Sequence, residues 1–220
     1  MKPEFIIISI DGGAGTGKST TANSLSKALN LLHVDTGSHY RAITRALIDL
    51  NLSPEDTEGY LQNNSLPLST EVIDGRSCLL INNSGFEPAV LRSPEINESV
   101  SDFSSKPCVR ELLFDYQRSQ VQVARENRFN GLVMEGRDIG TVILPDADLK
   151  IFLEADSGIR ANRRKLDGES DQISNRDEKD STRKISPLIP ANGCLHIDTG
   201  LLELIEALRF LPIKNPYSNV

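Results

Sequence analysis

The chain has 220 residues, of which 38% are hydrophobic and 25% are charged, and its formal net charge is −7. This length fits one large domain or a core with a smaller insertion, and the composition excludes a disordered, collagen-like or coiled-coil protein. The acidic balance argues against a nonspecific nucleic-acid binder, and no apolar run approaches the roughly 20 residues that span a bilayer.

The three cysteines are far apart, and no CxxC pair is present. A zinc site or a disulfide framework is therefore not predicted. Reduced thiols and the lack of a recognisable signal peptide predict a cytoplasmic protein. Nothing in the sequence demands a partner chain, so we expect a monomer that binds neither nucleic acid nor membrane.

The first part of the chain alternates short apolar runs with helical patterns. Residues 5–10 form an isoleucine-rich run that is typical of a buried parallel strand. Residues 19–29 place apolar side chains on one helical face, and residues 31–34 predict a second strand. Residues 42–50 then give another helical stripe. This alternation predicts an α/β fold with a parallel sheet.

The alternation is interrupted between residues 63 and 95. Residues 71–73 and 77–81 flank Asp74-Gly75, a spacing that predicts a β-hairpin with a tight turn. We therefore predict a small β-rich insertion at residues 63–95. The core then consists of residues 1–62 and 96–220.

The remainder of the chain returns to the same rhythm. The predicted elements are a long helix after Pro107, strands at 132–134 and 150–153, a basic helix at 158–165, a strand at 194–197 and a last amphipathic helix at 201–211. Residues 166–184 are dense in charge and poor in apolar side chains. This composition predicts a mobile, exposed segment.

Residues 12–19 match the pattern G-x-x-x-x-G-K-[ST] at every fixed position, between the first predicted strand and the first helix. The glycines let successive backbone N–H groups converge on phosphate oxygens, and the helix N-terminus adds positive potential. We predict that Lys18 reaches the β and γ phosphates of a bound nucleotide and that the Ser19 hydroxyl ligates Mg²⁺, with Asp35 as a weaker candidate near the metal. The residues predicted to bind this nucleotide, which the resemblance described below identifies as ATP, are Gly12, Gly13, Ala14, Gly15, Thr16, Gly17, Lys18, Ser19 and Thr20.

A nucleotide switch and an ATP-driven motor are alternative readings of this loop. A switch requires Asp-x-x-Gly after a strand, but residues 56–59 follow a helix and a Pro-containing loop. It also requires Asn-Lys-x-Asp, and residues 164–167 lack the asparagine. A motor requires paired acids at a strand end, whereas Glu135 is a single acid followed by glycine. Both classes are disfavoured.

Cations at strand ends favour a kinase. Arg41 follows the second predicted strand and Arg137 follows a later one. Because ligands of open α/β sheets bind beyond the carboxyl ends of the strands, both arginines should face the P-loop crevice. Arg176, Lys179 and Arg183 form another cluster, although charge runs are often only solvated faces. So many cations indicate a second phosphate-bearing ligand and a transferred phosphoryl group.

With these residues in place, the sequence resembles the bacterial cytidylate kinase family nearly end to end. The most telling stretch is Gly-Arg-Asp-Ile-Gly-Thr-Val at residues 136–142, followed by residues 145–147 and 150–153. Asp35-Thr36-Gly37 with Tyr40-Arg41 also matches. The resemblance implies a P-loop three-layer α/β/α core, an insertion that binds the nucleoside monophosphate, and a mobile lid near residues 157–184. It implies transfer of the γ-phosphoryl group of ATP to CMP or dCMP with Mg²⁺; a P-loop kinase of another small acceptor is the alternative.

The resemblance also assigns residues. The substrate-binding residues that it implies are Thr36, Arg41, Ser101, Arg110, Arg137, Asp138, Arg176 and Asp180. The implied catalytic residues are Lys18, Arg137, Arg176 and Arg183. Arg41 and Arg137 would hold the acceptor phosphate, and Asp180 would contact the sugar. Asp138 would accept a hydrogen bond from the cytosine amino group, where uracil presents an acceptor instead.

Overall fold

The computed structural model of the chain describes residues 5–166, 180–183 and 185–200. The strands are β1 (Ile6–Gly12), β2 (Leu32–Asp35), β3 (Leu68–Ile73), β4 (Arg76–Ile81), β5 (Gly131–Gly136), β6 (Leu149–Glu154) and β7 (Leu195–Asp198). The helices are α1 (Lys18–Leu29), α2 (Thr36–Asp49), α3 (Thr57–Asn63), α4 (Pro88–Leu91), α5 (Pro94–Ser104), α6 (Pro107–Glu126) and α7 (Ser157–Leu166). A π-helical turn, Ile139–Ile143, follows β5.

The described strands form one sheet in the order β3-β4-β2-β5-β1-β6-β7. All neighbouring pairs are parallel except β3 and β4. The chain crosses from β1 through α1 to β2 on one side, while β6 and β7 lie on the other side of β1. This arrangement opens a crevice at the carboxyl end of β1, and it confirms the predicted α/β fold with a mostly parallel sheet.

Helices cover both faces of the sheet. Val133 packs with Ile10 and with Leu25 of α1. The next residue, Met134, packs with Ala124 of α6. Because neighbouring residues of a strand point to opposite faces, α1 and α6 cover opposite faces of the sheet. The three-layer α/β/α core is therefore confirmed.

The predicted hairpin is present as β3 and β4, which pair with Ile73 opposite Arg76. Asp74 and Gly75 between them both have positive φ angles, 48° and 76°, as a two-residue type I′ turn requires. β4 also pairs in parallel with β2 through His33 and Arg76. The hairpin therefore extends the main sheet instead of forming a sheet of its own.

Three helices and the π-helical turn were not predicted from the sequence, and two predicted segments fall wholly or mostly outside the described residues. The sequence patterns predicted neither α3, α4, α5 nor the π-helical turn. Most of the predicted mobile segment, 167–179 and 184, and the whole predicted helix at 201–211 lie outside the described residues. In the part of the chain that is described, each helix is too short or too polar to cross a bilayer.

Candidate active site

The carboxyl ends of the central strands open into a cavity of about 1230 Å³. Ligand pockets commonly span about 300–1,000 Å³, so this cavity is large for a single small ligand. The predicted site residues that line it are Ala14, Gly15, Gly17, Lys18, Ser19, Thr20, Thr36, Arg41, Ser101, Arg110, Arg137, Asp138, Asp180 and Arg183. Gly12, Gly13 and Thr16 do not line it, and Arg176 and Lys179 lie outside the described residues.

The phosphate loop needs glycine at two crowded positions. A Cβ on Gly12 would lie 2.4 Å from the carbonyl oxygen of Leu153. Gly15 has a φ of +72°, and a Cβ there would lie 2.8 Å from the carbonyl oxygen of Arg160. Any other residue would push β1 away from β6 or the loop away from α7. The glycines therefore let the loop fold tightly over the sheet edge.

The N-terminus of α1 is built to receive an anion. Gly17 precedes the helix in a left-handed conformation with φ 90°, and no described side chain caps it. Gly17, Lys18, Ser19 and Thr20 line the cavity, so the backbone N–H groups of the first turn lie at its wall, where a helix N-terminus favours an anion. The ammonium group of Lys18 lies in the same loop and donates a hydrogen bond to the Gly13 carbonyl at 2.6 Å.

Hydrogen bonds within and around the loop keep its shape. The Thr16 hydroxyl donates to the Gly13 carbonyl at 2.9 Å, so this side chain is turned into the loop and away from the cavity. Arg160 donates from Nη1 to the Ala14 carbonyl at 3.1 Å. The Thr199 hydroxyl donates to the Thr16 carbonyl at 3.0 Å. α7 and the end of β7 thus support the loop from outside.

A buried carboxylate stands beside the predicted metal ligand. The Ser19 hydroxyl donates to Glu135 Oε2 at 2.8 Å, and His33 Nε2 lies 2.8 Å from Glu135 Oε1. Glu135 is the last residue but one of β5, next to β1, and its side chain is only 3% exposed. The sequence analysis assigned no function to Glu135, because a motor-type metal site requires two adjacent acids and Glu135 is single. A lone acid near the end of a buried strand was the feature that could have indicated it.

The Asp35 carboxylate caps α2. It accepts hydrogen bonds from the Ser38 N–H at 3.2 Å and from the Ser38 hydroxyl at 2.5 Å. Burial raises the pKa of Asp35, but the Ser38 hydrogen bonds and the nearby His33 and His39 outweigh it and hold this pKa below its usual value. Asp35 is thus an ionised helix cap that also lines the cavity.

The donor set beside the loop fits Mg²⁺. The hydroxyl of Ser19 and the carboxylate of Glu135 supply oxygen, which this cation prefers. The described residues contain no group of three or more His, Cys, Asp or Glu side chains that could hold a metal. A site with one or two protein ligands is nevertheless what Mg²⁺ needs when substrate phosphates and water complete its shell.

A mostly buried ion pair, Arg110 with Asp138, forms another part of the cavity wall. Arg110 Nη2 lies 2.5 Å from Asp138 Oδ2, and their side chains are 8% and 5% exposed. Arg110 also donates to the Ser104 carbonyl at 3.2 Å and lies over the Tyr40 ring. Burial raises the pKa of Tyr40 to about 12, so its hydroxyl stays protonated. These contacts fix one hydrogen-bonding edge of the cavity.

A second set of charges links the loop after β5 to the residues at 180–183. Arg137 Nε donates to Asp180 Oδ2 at 2.8 Å, and Asp180 Oδ1 lies 3.6 Å from Arg183. Arg183 Nη2 is buried, makes no hydrogen bond among the described residues, and lies 3.9 Å from Asp138 Oδ1. Burial and the neighbouring Arg110 lower the pKa of Arg183. An anionic or polar ligand would satisfy this donor.

The other residues that are predicted to bind the acceptor nucleotide also border the cavity. Arg41 projects from α2 and donates to Asn97 Oδ1 of α5 at 2.8 Å. The Thr36 hydroxyl donates to the Glu135 carbonyl at 2.7 Å, which ties the start of α2 to β5. Ser101 of α5 lines the cavity beside Ser104. Sequence reasoning missed Asn97 and Ser104, because neither belongs to a recognisable motif.

Comparisons with known proteins give a consistent result. A protein-family model described as cytidylate kinase matches residues 8–210. A cytidylate kinase of Caldicellulosiruptor bescii is 36% identical, with 93% of this chain and 92% of the relative covered. A cytidylate kinase of Desulfitobacterium hafniense is 38% identical, with 94% of this chain and 92% of the relative covered. A cytidylate kinase of Pseudothermotoga lettingae is 39% identical, with 91% of this chain and 89% of the relative covered.

Proposed function

The chain belongs to the cytidylate kinase family, and we propose that its cavity transfers the γ-phosphoryl group of ATP to CMP or dCMP. Membership of this family makes it a nucleoside monophosphate kinase and implies ATP-dependent phosphoryl transfer. The observation that carries the proposal for this site is that one cavity is lined by Lys18 of the phosphate loop and by Arg41 and Arg137 from other elements. Two cation sets around one space suit two polyanions that meet at their phosphates.

The proposed reaction needs positioning and charge neutralisation. An oxygen of the CMP phosphate, held by Arg41 and Arg137, attacks the γ-phosphorus of ATP. The bond from that phosphorus to the β–γ bridging oxygen breaks, and ADP leaves with the electron pair. Lys18 and the N–H groups at the start of α1 stabilise the charge that develops on the donor phosphates. Arg183 and Arg176 would close over the moving group.

We propose that Ser19 and Glu135 hold Mg²⁺, with the Ser19 hydroxyl as a ligand. The ion, when bound, would neutralise the β and γ oxygens of ATP. The Glu135 carboxylate lies 2.8 Å from that hydroxyl and would orient it or a water molecule of the ion's shell. His33 holds the other carboxylate oxygen, so that Glu135 cannot turn away.

Recognition of cytosine is assigned to Asp138, Arg110 and Ser101. Asp138 would accept from the cytosine amino group, and Arg110 and Ser101 would donate to the N3 and O2 acceptors. Uracil would place an acceptor against the Asp138 carboxylate and leave buried polar groups without partners. Asp180, which already lies near Arg137, would contact the sugar.

The proposed division of the chain keeps residues 63–95 as the insertion that helps to bind the acceptor. Its Leu79 and Ile81 pack into one hydrophobic cluster with Ile43 of α2 and Leu113 of α6, so the insertion is anchored on the core, and Arg92 near its end lines the cavity. We propose a lid near residues 157–184. We also propose a monomer, and the three free thiols favour a cytoplasmic location.

The decisive test of the function is a coupled assay of ADP release with ATP and each nucleoside monophosphate. We expect turnover with CMP and dCMP to exceed turnover with UMP, AMP and dTMP. Preference for another monophosphate or for a non-nucleotide acceptor would overturn the cytosine assignment. ATP binding without any acceptor-dependent release of ADP would instead favour a nucleotide switch.

Changing Glu135 to Gln should raise the Mg²⁺ concentration that gives half-maximal activity by about 10- to 100-fold, as losses beside a metal ligand commonly do. Glutamine keeps the size of the side chain and can still bond to His33, but it removes the charge. The measurement is a Mg²⁺ titration of both turnover and binding of a fluorescent ADP analogue. The binding titration separates loss of the metal from loss of chemistry.

Glu126→Gln is the matched control, because this exposed glutamate of α6 lies outside the cavity lining. It should leave both titrations unchanged. A Glu135→Gln variant with a normal Mg²⁺ requirement would contradict the assignment of this carboxylate to the metal.

A further inference from the structure

Asp11, near the end of β1, has no part in the reaction described so far, although its side chain is turned toward the acceptor side of the site. It is only 3% exposed. Its Oδ1 accepts the backbone N–H of Ile139 at 2.8 Å, and its Oδ2 accepts the N–H of Gly140 at 2.7 Å. Such hydrogen bonds to a carboxylate are about twice as strong as bonds between neutral groups.

The two N–H groups that Asp11 holds begin the π-helical turn directly after Arg137 and Asp138. The N–H of Ile139 belongs to the same planar peptide unit as the Asp138 carbonyl, so fixing one fixes the other. That carbonyl in turn accepts from the N–H of Val142 at 2.9 Å. The backbone that presents Arg137 and Asp138 to the cavity is therefore fastened to β1.

The fit between β1 and this turn is close. A Cβ on Gly140 would lie 2.9 Å from Ser9 Oγ and 3.3 Å from Asp11 Oδ2. Burial raises the pKa of Asp11 to about 6, although the two N–H groups lower it. A buried charge is costly, and packing alone could be met by an apolar residue. The carboxylate is therefore best explained by the two hydrogen bonds that it accepts.

We propose that Asp11 is a positioning residue for acceptor binding. It joins the strand that leads into the phosphate loop to the turn that carries Arg137 and Asp138. The acceptor nucleotide is thereby held at a fixed distance from ATP. This inference rests on the proposed function, because it assumes that Arg137 and Asp138 bind CMP.

Asp11→Asn tests the proposal, since asparagine keeps the size but can accept at only one of the two positions. We expect the KM for CMP to rise about 10-fold, as a small misplacement of binding groups would cause. The KM for ATP should stay within about 2-fold, because the phosphate loop keeps its own hydrogen bonds. Asp11→Ala should change the same constant in the same direction. Ser9→Ala is the control, because Ser9 is buried on the same face of β1 and its hydroxyl makes no hydrogen bond among the described residues.

A pH profile gives a readout that a purely structural change would not move. The groups that face this carboxyl are Asp138, which raises its pKa, Lys18, which lowers it, and the Cys194 thiol. As the pH falls through about 6, protonation of Asp11 removes an acceptor in the wild type but not in the Asn variant. The ratio of their kcat/KM values for CMP should therefore fall from about 10 toward about 1 between pH 7.5 and pH 5. Titration of the CMP phosphate cancels in this ratio.

The results of these measurements distinguish a failure of the Asp11 assignment from a failure of the proposed kinase function. If the wild type does not phosphorylate CMP, the proposed function fails. If it does, then equal rises in both KM values, no rise in either, or a ratio that is independent of pH would overturn the assignment of Asp11. Loss of folding in both Asp11 variants would also overturn it, because the carboxylate would then serve the sheet as a whole.

Discussion

Lys18→Ala should lower kcat by about 1,000-fold or more, because it removes a fixed positive charge from the oxygens on which charge develops during phosphoryl transfer. Lys18 begins α1, and its ammonium group lies at the Gly13 carbonyl within the phosphate loop. The backbone N–H groups of the loop carry only partial positive charge, so they cannot replace the full charge of the Lys18 ammonium group. The measurement is steady-state turnover with ATP and CMP, both at saturating concentration.

The fold should survive this substitution. Lys18 packs at the cavity wall, whereas Ala22 and Leu25 of the same helix carry its contacts with the sheet. Circular dichroism and the melting temperature should therefore match those of the wild type. Lys27→Ala, at an exposed position of the last turn of α1, is the control and should keep normal turnover. Near-normal turnover of Lys18→Ala would exclude its assigned function.

The parts of the molecule that the sequence could predict are those governed by local rules. The pattern at residues 12–19 fixes glycine at Gly12, which is too crowded for a side chain, and at Gly17, whose φ of +90° few other residues tolerate. It leaves position 15 open, so the need for glycine there became visible only in the structure. The alternating apolar runs predicted the central strands, because buried parallel strands need them. The Asp74-Gly75 turn predicted the hairpin because few residues tolerate its backbone angles.

The parts that could not be predicted depend on which elements become neighbours. Glu135 is a single acid in the sequence, and it becomes part of the candidate metal site only because β5 pairs with β1 beside Ser19. The carboxylate of Asp11 bonds to N–H groups 128 and 129 positions away along the chain. No periodicity encodes such contacts. The π-helical turn escaped prediction for the same reason, since its first N–H groups are held by that distant carboxylate.

The cytosine assignment could be made only by resemblance, and its geometry explains why. Ser101 and Arg110 belong to α5 and α6, and neither has a local pattern that indicates binding. They reach the same cavity as Asp138, 28 positions beyond Arg110, because α6 packs against the turn after β5. Placement of these residues at one wall follows from the tertiary fold, so it had to come from known relatives or from the structure.

Asp138→Asn should lower kcat/KM for CMP by about 1,000-fold, because a donor amide would replace the acceptor that faces the cytosine amino group, and a buried charge pair would be lost. Asparagine can still accept from Arg110 through its carbonyl oxygen, which limits the loss of stability. The KM for ATP should change by less than about 2-fold, since the hydrogen bonds that shape the phosphate loop do not involve Asp138.

Asp138→Asn should also weaken the preference for CMP over UMP, and this is its most specific consequence. The new amide N–H₂ group can donate to the uracil O4, so kcat/KM for UMP should fall far less than that for CMP, and the ratio between them should drop at least about 10-fold. The measurement is the coupled assay with both monophosphates at equal ATP, alongside Asp115→Asn, an exposed aspartate of α6, as the control that should retain the original ratio. A parallel loss with CMP, UMP and ATP would place Asp138 outside base recognition, because a residue that only supports the fold cannot distinguish an amino group from a carbonyl.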